Sequence, residues 1–352
     1  MQKEGLDVDT YKQLIRPLLF RLDAEVVHNM VKALLQRPVL SRTFGGRSQL
    51  VRDERLQVNV GGLRIPNPVG LGAGFDKDCD MLNSLEHFGF GYIVAGSVMC
   101  SPRPGNPRPR MVRDPEREAL YSCMGLPSKG LDYAVKRLER RRHHLVPLIV
   151  NFNGIGLDDY LKCIEVLQPL GDALEIVLFC PNRPHDAGDF LSPRVAENLL
   201  VELVKRKKKP IFIKIPGYRS EKERQKRLAL VDHILKYPVD GITITPESLV
   251  DEKRLSIGRG TITGRPMFQQ MLSVVRDVYD LAKDKCPIRA SGGVFTSQDA
   301  FDAIAAGATS VEIVTSFIYE GWNIAKNINR GLINLLNKHN IRNVRALRGT
   351  KA

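Results

Sequence analysis

Residues 288–315 read IRASGGVFTSQDAFDAIAAGATSVEIVT, and this segment is the most informative about the fold. A short apolar run, Ile288–Ser291, ends in two glycines, and a helical pattern, Ser297–Ala306, follows it. A second apolar run, Val311–Thr315, then begins after another glycine. A strand, a helix and a second strand joined in this way are the building block of α/β folds with a parallel sheet.

The same unit recurs through most of the chain. Apolar runs predict eight strands: Asn67–Gly72, Tyr92–Ser97, Leu148–Asn153, Leu174–Phe179, Pro210–Ile215, Gly241–Thr245, Ile288–Ser291 and Val311–Thr315. Helical patterns lie between them, among them Ser192–Lys207, Glu221–Lys236 and Phe268–Lys283. Eight strand–helix units are what a (β/α)8 barrel requires, whereas a doubly wound sheet usually has fewer strands. The sequence therefore predicts an α/β fold, a (β/α)8 TIM barrel, over residues 46–345.

An N-terminal helical extension is predicted ahead of the barrel, over residues 1–45. Within it, Tyr11–Gln36 has the apolar spacing of one or two amphipathic helices, and Asp23 is a candidate cap for the second. This helical pair could pack on the barrel or lie on a membrane surface. Residues 346–352 form a short basic tail.

Composition excludes several classes of protein. The chain has 352 residues, of which 43% are hydrophobic and 26% charged, and this balance excludes disorder over most of its length. Charges interrupt every long apolar stretch, so no transmembrane helix is predicted. The six cysteines show no paired short spacing, which argues against a zinc site or a disulfide scaffold and for a reducing compartment, and no metal site is predicted.

The formal net charge of +14 is compatible with nucleic acid or with an anionic membrane surface. Two basic runs, Arg140–His144 and Lys205–Lys209, each follow a helical pattern. Cations there complement the helix dipole, so we interpret both runs as solvated helix ends. No zinc-finger or aromatic-interleaved basic motif supports direct nucleic-acid binding.

Barrels of this kind carry their chemistry at the C-terminal ends of their strands. The strand ending in Ser291-Gly292-Gly293 precedes a helix that begins near Thr296, and backbone N–H groups there can bind a phosphate. The next strand ends in Val314-Thr315-Ser316, which adds hydroxyl and amide donors. Tight turns are the alternative role of these glycines, but two consecutive strands with such ends favour a phosphate site.

Five motifs make the chain resemble the dihydroorotate dehydrogenases. They are Asn67–Asp78, Pro104–Arg110, Cys180-Pro181-Asn182, Thr263–Pro266 and Ser291–Val294, in the order and spacing of that family. The run Ile15–Glu25 with His28 is similar to the helical extension of the membrane-associated, quinone-reducing class. The resemblance implies a barrel that binds FMN, oxidises dihydroorotate and passes electrons to ubiquinone beneath the N-terminal helices.

Position by position, the resemblance implies that the flavin contacts are retained. Ala73, Gly74 and Lys77 match the loop against the isoalloxazine ring, and Ser97 keeps the hydroxyl of a family threonine. The other implied contacts lie at the ring edge, where a cation stabilises the reduced flavin, and at the phosphate and ribityl end; they are Asn151, Lys214, Gly264, Gly293 and Thr315.

The substrate pocket departs from the family pattern. Residues 122–128 read SCMGLPS where the family has NRMGFNN, so Ser122 and Pro127 replace asparagines. Val177 replaces a third asparagine, and Pro246-Glu247 replaces an Asn-Thr pair. Each hydrogen bond to a charged ligand is worth about 1.5–3 kcal/mol, and Glu247 would repel an anion. These changes predict that dihydroorotate is not the substrate.

Two residues, Cys180 and Asn182, are the remaining candidates for contact with the substrate. The membrane-associated class usually has serine where this chain has Cys180, which is the candidate catalytic base because a thiolate with a lowered pKa can accept a proton. An inert buried thiol is the alternative. Asn182 is the one amide of the substrate ring that remains.

His28 and Arg113 match family positions that border the quinone tunnel, although both could be ordinary surface residues. The resemblance implies peripheral membrane contact and a location at the mitochondrial inner membrane or in the matrix, with the bacterial cytoplasmic membrane face as the alternative.

Three functions remain open at the level of sequence. The first is an FMN oxidoreductase with a remodelled pocket. The second is a pseudoenzyme that serves as a structural subunit of a membrane or ribonucleoprotein complex. The third is an active quinone-dependent dihydroorotate dehydrogenase of pyrimidine biosynthesis.

Overall fold

The computed structural model describes residues 10–37, 49–142, 144–179 and 190–352. Its centre is a closed barrel of eight parallel strands in the order β3-β4-β7-β8-β9-β10-β13-β14. The barrel strands are β3 (Val69–Leu71), β4 (Tyr92–Met99), β7 (Leu148–Asn153), β8 (Ala173–Val177), β9 (Ile211–Pro216), β10 (Gly241–Thr245), β13 (Ile288–Ser291) and β14 (Ser310–Ile313). The predicted TIM barrel is confirmed, and each predicted strand lies within two residues of its position in the structure.

Helices cover the outside of the barrel. They are α3 (Leu82–Leu85), α4 (Leu131–Leu138), α5 (Leu157–Leu167), α6 (Pro193–Arg206), α7 (Glu221–Ile234), α8 (Phe268–Ala282), α9 (Ser297–Ala305), α10 (Thr315–Glu320), α11 (Ile324–Lys338) and α12 (Val344–Leu347). Strands enclosed between such helices and the barrel interior are buried on both faces, which explains their continuous apolar runs. Short 3-10 turns occupy Glu54–Leu56, Arg265–Met267 and Lys283–Lys285.

Two smaller sheets were not predicted from the sequence. The hairpin of β1 (Val58–Val60) and β2 (Leu63–Ile65) turns at Gly61-Gly62, where both glycines have positive φ as a two-residue hairpin turn requires. The second sheet has the order β11-β12-β6-β5. Its strands are β5 (Met111–Asp114), β6 (Ala119–Ser122), β11 (Leu249–Asp251) and β12 (Arg259–Gly264).

The N-terminal segment contains the two predicted helices, α1 (Arg16–Phe20) and α2 (Ala24–Leu35), preceded by a π-helical turn at Tyr11–Ile15. Asp23 caps α2 as predicted, because its Oδ1 accepts hydrogen bonds from the backbone N–H groups of residues 25 and 26, each at 2.9 Å. The cap therefore fixes the break between the two helices.

This segment packs on the barrel through its polar groups. Tyr11 donates its hydroxyl proton to the Ile318 carbonyl at 2.5 Å, and Arg16 donates to the Tyr319 carbonyl at 3.0 Å. On α2, Glu25 forms an ion pair with Arg110 at 2.7 Å. The extension thus lies over the C-terminal ends of the barrel strands.

The outer face of this segment is apolar and exposed to solvent. Its exposed side chains are Leu14, Leu18, Leu22, Val26, Met30 and Leu34. Within the described parts of the chain, every helix is too short or too polar to cross a membrane.

The two basic runs differ from each other. Lys205 and Arg206 form ion pairs with Glu202 at the exposed end of α6, as expected for a solvated helix end. Arg141 differs from the prediction, because it is buried and pairs with Glu86 at 2.6 Å. A buried carboxylate attracts this arginine out of solvent and into the packing between α3 and the loop after α4.

Candidate active site

A cavity of about 770 Å³ lies between the barrel mouth, the second sheet and the N-terminal helices. Its size suits a cofactor together with a small ligand. The lower part is bordered by the ends of the barrel strands, and the upper part by apolar side chains of α1, α2 and α10. One continuous space therefore connects the barrel mouth with the helical extension.

Eight of the nine predicted flavin residues line this cavity. They are Ala73, Gly74, Lys77, Ser97, Lys214, Gly264, Gly293 and Thr315. The ninth, Asn151, is completely buried next to the barrel interior, where its Nδ2 donates to Glu175 at 2.5 Å. The structure thus brings residues from six parts of the chain to one surface.

Two lysines place positive charge at the cavity. Lys77 donates from Nζ to the Gly74 carbonyl at 2.7 Å, and burial lowers the pKa of Lys77 despite the nearby Asp78 carboxylate. Lys214 lies with its Nζ 3.8 Å from Glu175 Oε1. A reduced flavin carries negative charge, so cations at this position suit it.

The predicted phosphate end is assembled, with one correction. Thr315 and Thr263 share a hydrogen bond of 2.9 Å between their hydroxyls, and Gly293 has the positive φ of 75° that glycine tolerates. The helix N-terminus expected to assist is occupied: Asp299 and Thr296 form a capping box there. The Asp299 carboxylate accepts the backbone N–H groups of residues 295 and 296, each at 2.9 Å, so these two donors are already occupied.

The replaced substrate positions line the same cavity. Ser122, Pro127, Val177, Pro246 and Glu247 all border it. The Ser122 hydroxyl is 3.2 Å from the Thr261 hydroxyl, and Glu247 Oε1 accepts the backbone N–H of Leu249 at 3.1 Å. The family pattern has mostly amide side chains at these positions. This chain has instead a serine, two prolines, a valine and a carboxylate.

Asn153 was missed by the sequence analysis. It ends β7 and lines the cavity, and its Oδ1 accepts a hydrogen bond from the Tyr160 hydroxyl at 3.1 Å. Its Nδ2 is buried without a hydrogen-bond partner in the part of the chain that the structure describes. Its place at the C-terminal end of a barrel strand was the available signal. Cys180 and Asn182 lie outside the described residues.

Both predicted quinone residues line the upper cavity. The His28 ring meets the Phe75 ring edge-on at 5.4 Å, and burial lowers the pKa of His28 to about 4. Arg113 donates to the Leu22 carbonyl at 2.9 Å, and its guanidinium lies 4.7 Å from the centre of the Phe20 ring. Arg113 therefore joins the second sheet to the end of α1.

Three charged residues inside the barrel were also missed. Arg289 and Glu175 are completely buried, and Glu312 is 2% exposed. Arg289 pairs with Glu175 and lies 3.0 Å from Glu312 Oε1. Each interrupts a short apolar strand, and this was the signal that could have identified them. We call Glu175, Arg289 and Glu312 the buried triad.

The residues present fit FMN. Gly74 has no atom within 4 Å of the position that a Cβ would take, so the loop leaves open space beside the expected ring. Ser316 Oγ, at the phosphate end, is buried and lacks a hydrogen-bond partner among the residues described. Cations, open space and unpaired polar atoms thus occur where the ring and phosphate are expected.

The sequence of this chain is similar to a known family along most of its length. Residues 55–336 match the sequence model of the family described as dihydroorotate dehydrogenase. A dihydroorotate dehydrogenase (quinone) of Roseiflexus castenholzii is 34% identical, over 96% of this chain and 96% of the relative. That of Thermosynechococcus vestitus is 32% identical, over 93% and 97%.

Solved structures agree with the sequence comparison. The ligand-free DHODH of Eimeria tenella superposes with a TM-score of 0.82 at 29% identity, covering 93% of this chain and 99% of that one. The complex of Eimeria tenella DHODH with ferulenol gives a TM-score of 0.80 at 26% identity, covering 93% and 95%. The chain therefore belongs to the dihydroorotate dehydrogenase family of FMN flavoproteins.

Proposed function

We propose that this chain is an FMN-dependent oxidoreductase whose substrate pocket has been remodelled away from dihydroorotate. One observation carries the proposal: the five replaced positions and eight of the nine flavin residues border one cavity. The replacements are therefore in contact range of whatever binds beside the flavin. Changes scattered over the surface would not have this effect.

The residues of the cavity would act in defined ways. FMN, when bound, supplies the two-electron acceptor for oxidation of the substrate. Lys77 and Lys214 balance negative charge on the ring, and the glycine-rich turn at Gly293 with the Thr315 hydroxyl holds the phosphate end. Apolar side chains of α1 and α2 exclude water from the upper cavity.

The lining of the pocket favours a substrate less polar than dihydroorotate and without its negative charge. Val177, Pro127 and Pro246 offer no side-chain donor, whereas an anionic ligand needs several. Glu247 adds a carboxylate to the same wall. A neutral substrate would meet no repulsion from Glu247.

An active quinone-dependent dihydroorotate dehydrogenase is the second candidate. The names of the relatives favour it, since those at 31–34% identity are dihydroorotate dehydrogenases (quinone). For the electron acceptor we propose a quinone in both cases. The support is the apolar upper cavity, with His28 and Arg113 on its wall beneath α1 and α2.

We also propose that the exposed face of α1 and α2 contacts a membrane surface. Six exposed apolar side chains between Leu14 and Leu34, four of them on α1 and α2, are more than isolated surface leucines explain. Two of these side chains, Met30 and Leu34, also line the cavity, so a quinone could enter from the lipid. The mitochondrial inner membrane is proposed as the location from the resemblance alone.

Anaerobic titration with dihydroorotate tests the proposed function. The purified FMN-loaded protein is mixed with dihydroorotate, and the visible absorbance of oxidised flavin is followed. We expect no bleaching, while dithionite bleaches the same sample completely. Rapid bleaching, with reoxidation by a short-chain quinone, would establish the second candidate instead. A protein that purifies without flavin and takes up none would favour the pseudoenzyme.

A set of reversions sharpens this test. We expect Pro127→Asn and Val177→Asn in combination to restore measurable reduction by dihydroorotate, because each returns an amide to the cavity wall. The matched control is Val201→Asn, on the exposed side of α6. No gain in the combined variant would mean that these positions do not decide the substrate.

A further inference from the structure

The two carboxylates of the buried triad have different surroundings. Glu175 is fully supplied with donors: Arg289, the Thr243 hydroxyl at 2.5 Å and Asn151 Nδ2 at 2.5 Å, with Lys214 Nζ at 3.8 Å. Glu312 has Arg289 Nη1 at 3.0 Å and the Tyr92 hydroxyl at 3.4 Å, both at Oε1. The Arg289 guanidinium therefore lies between two carboxyl groups, of which Glu175 has additional donors on both oxygens and Glu312 has contacts on one oxygen alone.

The second oxygen of Glu312 lacks a partner. Oε2 is buried and forms no hydrogen bond with any residue that the structure describes. Glu312 also lines the cavity, next to Ile313, Val314 and Thr315 of the same chain segment. A Cβ at Gly72 would lie 3.2 Å from Oε2, so glycine keeps the space beside this oxygen open.

Stability does not account for this arrangement. A buried ion pair contributes little net stability, because the loss of hydration offsets the attraction between its charges. A buried polar atom without a partner is also rare in folded proteins, and a missing ligand is a common reason for one. The unpaired oxygen at the cavity wall therefore points to a group that binds there.

We propose that Glu312 is a neutral hydrogen-bond donor to FMN, and that Glu175 is the ionised partner of Arg289 which allows Glu312 to remain neutral. A carboxylic acid can donate one hydrogen bond from the oxygen that carries its proton. The isoalloxazine ring offers carbonyl oxygens and ring nitrogens as acceptors. An ionised carboxylate at this place would instead repel the reduced ring.

The charges around the triad support this division. Burial alone would raise the pKa of Glu175, but Arg289 and Lys214 hold it below its usual value. Burial raises the pKa of Glu312, and attraction to Arg289 offsets that only in part while repulsion from Glu175 adds to it. The titratable and hydroxyl groups that face Glu312 inside the barrel are Tyr92, Glu175, Lys214, Arg289 and Ser291. Ser310, on the same strand as Glu312, shares a hydrogen bond with the Tyr92 hydroxyl.

Two substitutions at Glu312 test the proposal through FMN binding, without any substrate. Glu312→Gln keeps a neutral donor of the same shape. We therefore expect its FMN dissociation constant to stay within about twofold of the wild-type value, and its midpoint potential to be unchanged within error. Glu312→Met keeps the volume but removes the donor. We expect it to weaken FMN binding by roughly fivefold to tenfold. Glu165→Gln, on the exposed side of α5, is the matched control.

Opposite results would overturn the proposal. If Glu312 is ionised, Glu312→Gln removes a negative charge and favours reduced FMN by about tenfold or more, a rise of about 30 mV in the two-electron midpoint potential. If Glu312→Met binds FMN as wild type does, Glu312 does not contact the cofactor. Both variants retain the Arg289–Glu175 pair, so each is expected to fold; failure of both to fold would make Glu312 a structural residue and overturn the proposal.

The proposal rests on the proposed FMN site but not on the proposed substrate. Wild-type protein that binds no FMN would remove the basis of both proposals. Wild-type protein that binds FMN, with variants indistinguishable from it, would remove this one alone.

Discussion

Inside the barrel, Arg289 and Glu175 are completely buried, whereas on the N-terminal helices Leu14 and Leu18 are 64% and 63% exposed. Charge lies in the core and leucine on the surface, the reverse of the usual distribution. In the core, each charge has a partner of opposite sign within reach. On the helices, the leucines face solvent. Each exception is where we propose a contact: the buried charges with the cofactor, and the exposed leucines with a membrane surface.

The largest effect is expected from removal of the central cation of the core. Arg289→Met would leave two buried carboxyl groups without their shared partner, and we expect a loss of about 3–5 kcal/mol in the free energy of unfolding. Urea denaturation measures it. The control is Arg206→Met, whose ion pairs are on the surface of α6. If both variants lose the same small amount of unfolding free energy, Arg289 does not stabilise the two buried carboxyl groups.

A smaller effect is expected on the exposed helices. Leu14→Gln with Leu18→Gln should leave the unfolding free energy nearly unchanged, but should weaken binding to anionic lipid vesicles by about 2 kcal/mol, roughly thirtyfold. Vesicle sedimentation measures the partition. Leu281→Gln, at an exposed leucine of α8, serves as the control. If the double variant binds vesicles as strongly as wild type does, membrane contact through this face is refuted.

His28, between the two regions, should make stability depend on pH. Its pKa is about 4 in the folded chain because of burial, below the ordinary value of about 6.5. As the pH falls, His28 is therefore protonated in the unfolded chain before it is protonated in the folded chain. The free energy of unfolding keeps its full value above pH 6.5 and decreases as the pH falls toward 4. We expect about 2 kcal/mol of this loss by pH 5. Denaturation at several pH values should show a smaller loss in His28→Gln; an identical pH profile would contradict the burial of a neutral ring.

The smallest effect is expected at the contact between α2 and the loop before β5. Glu25→Gln removes the charge that pairs with Arg110 and Arg108, and about 1 kcal/mol of unfolding free energy should be lost. Hydrogen bonds from Arg110 lower the pKa of Glu25, so its contribution is present above its unfolded pKa and disappears as the pH falls through the folded value. Thermal denaturation at pH 7 measures it, with Glu116→Gln at an exposed position as the control.

The barrel was predictable because its strands are buried on both sides and so read as apolar runs. The hairpin at Gly61-Gly62 carried a recognisable signal, a glycine pair between two short alternating strands, and was overlooked. The flavin residues could be placed because they follow strand ends and match a family pattern.

The buried triad could not be predicted in the same way. Arg289 and Glu312 come from consecutive strands, but Glu175 comes from a strand more than 100 residues earlier, and each alone reads as a polar interruption of a short strand. Only the closed barrel brings Glu175 to the other two. The capping box at Thr296 and Asp299 was readable, because a threonine followed three residues later by an acidic residue is its signature, and it was overlooked.

The contacts of the N-terminal segment have a consequence for the order in which the protein forms during its synthesis. The first helices bind to the carbonyls of residues 318 and 319, which are synthesised about 300 residues after them. Domains generally begin to fold from their N-terminus as they emerge, but here these contacts can form only after the last barrel strand has been made. During that interval the side chains of these helices that later line the cavity are uncovered together with the exposed leucines, so a membrane or a chaperone can bind them before the barrel closes.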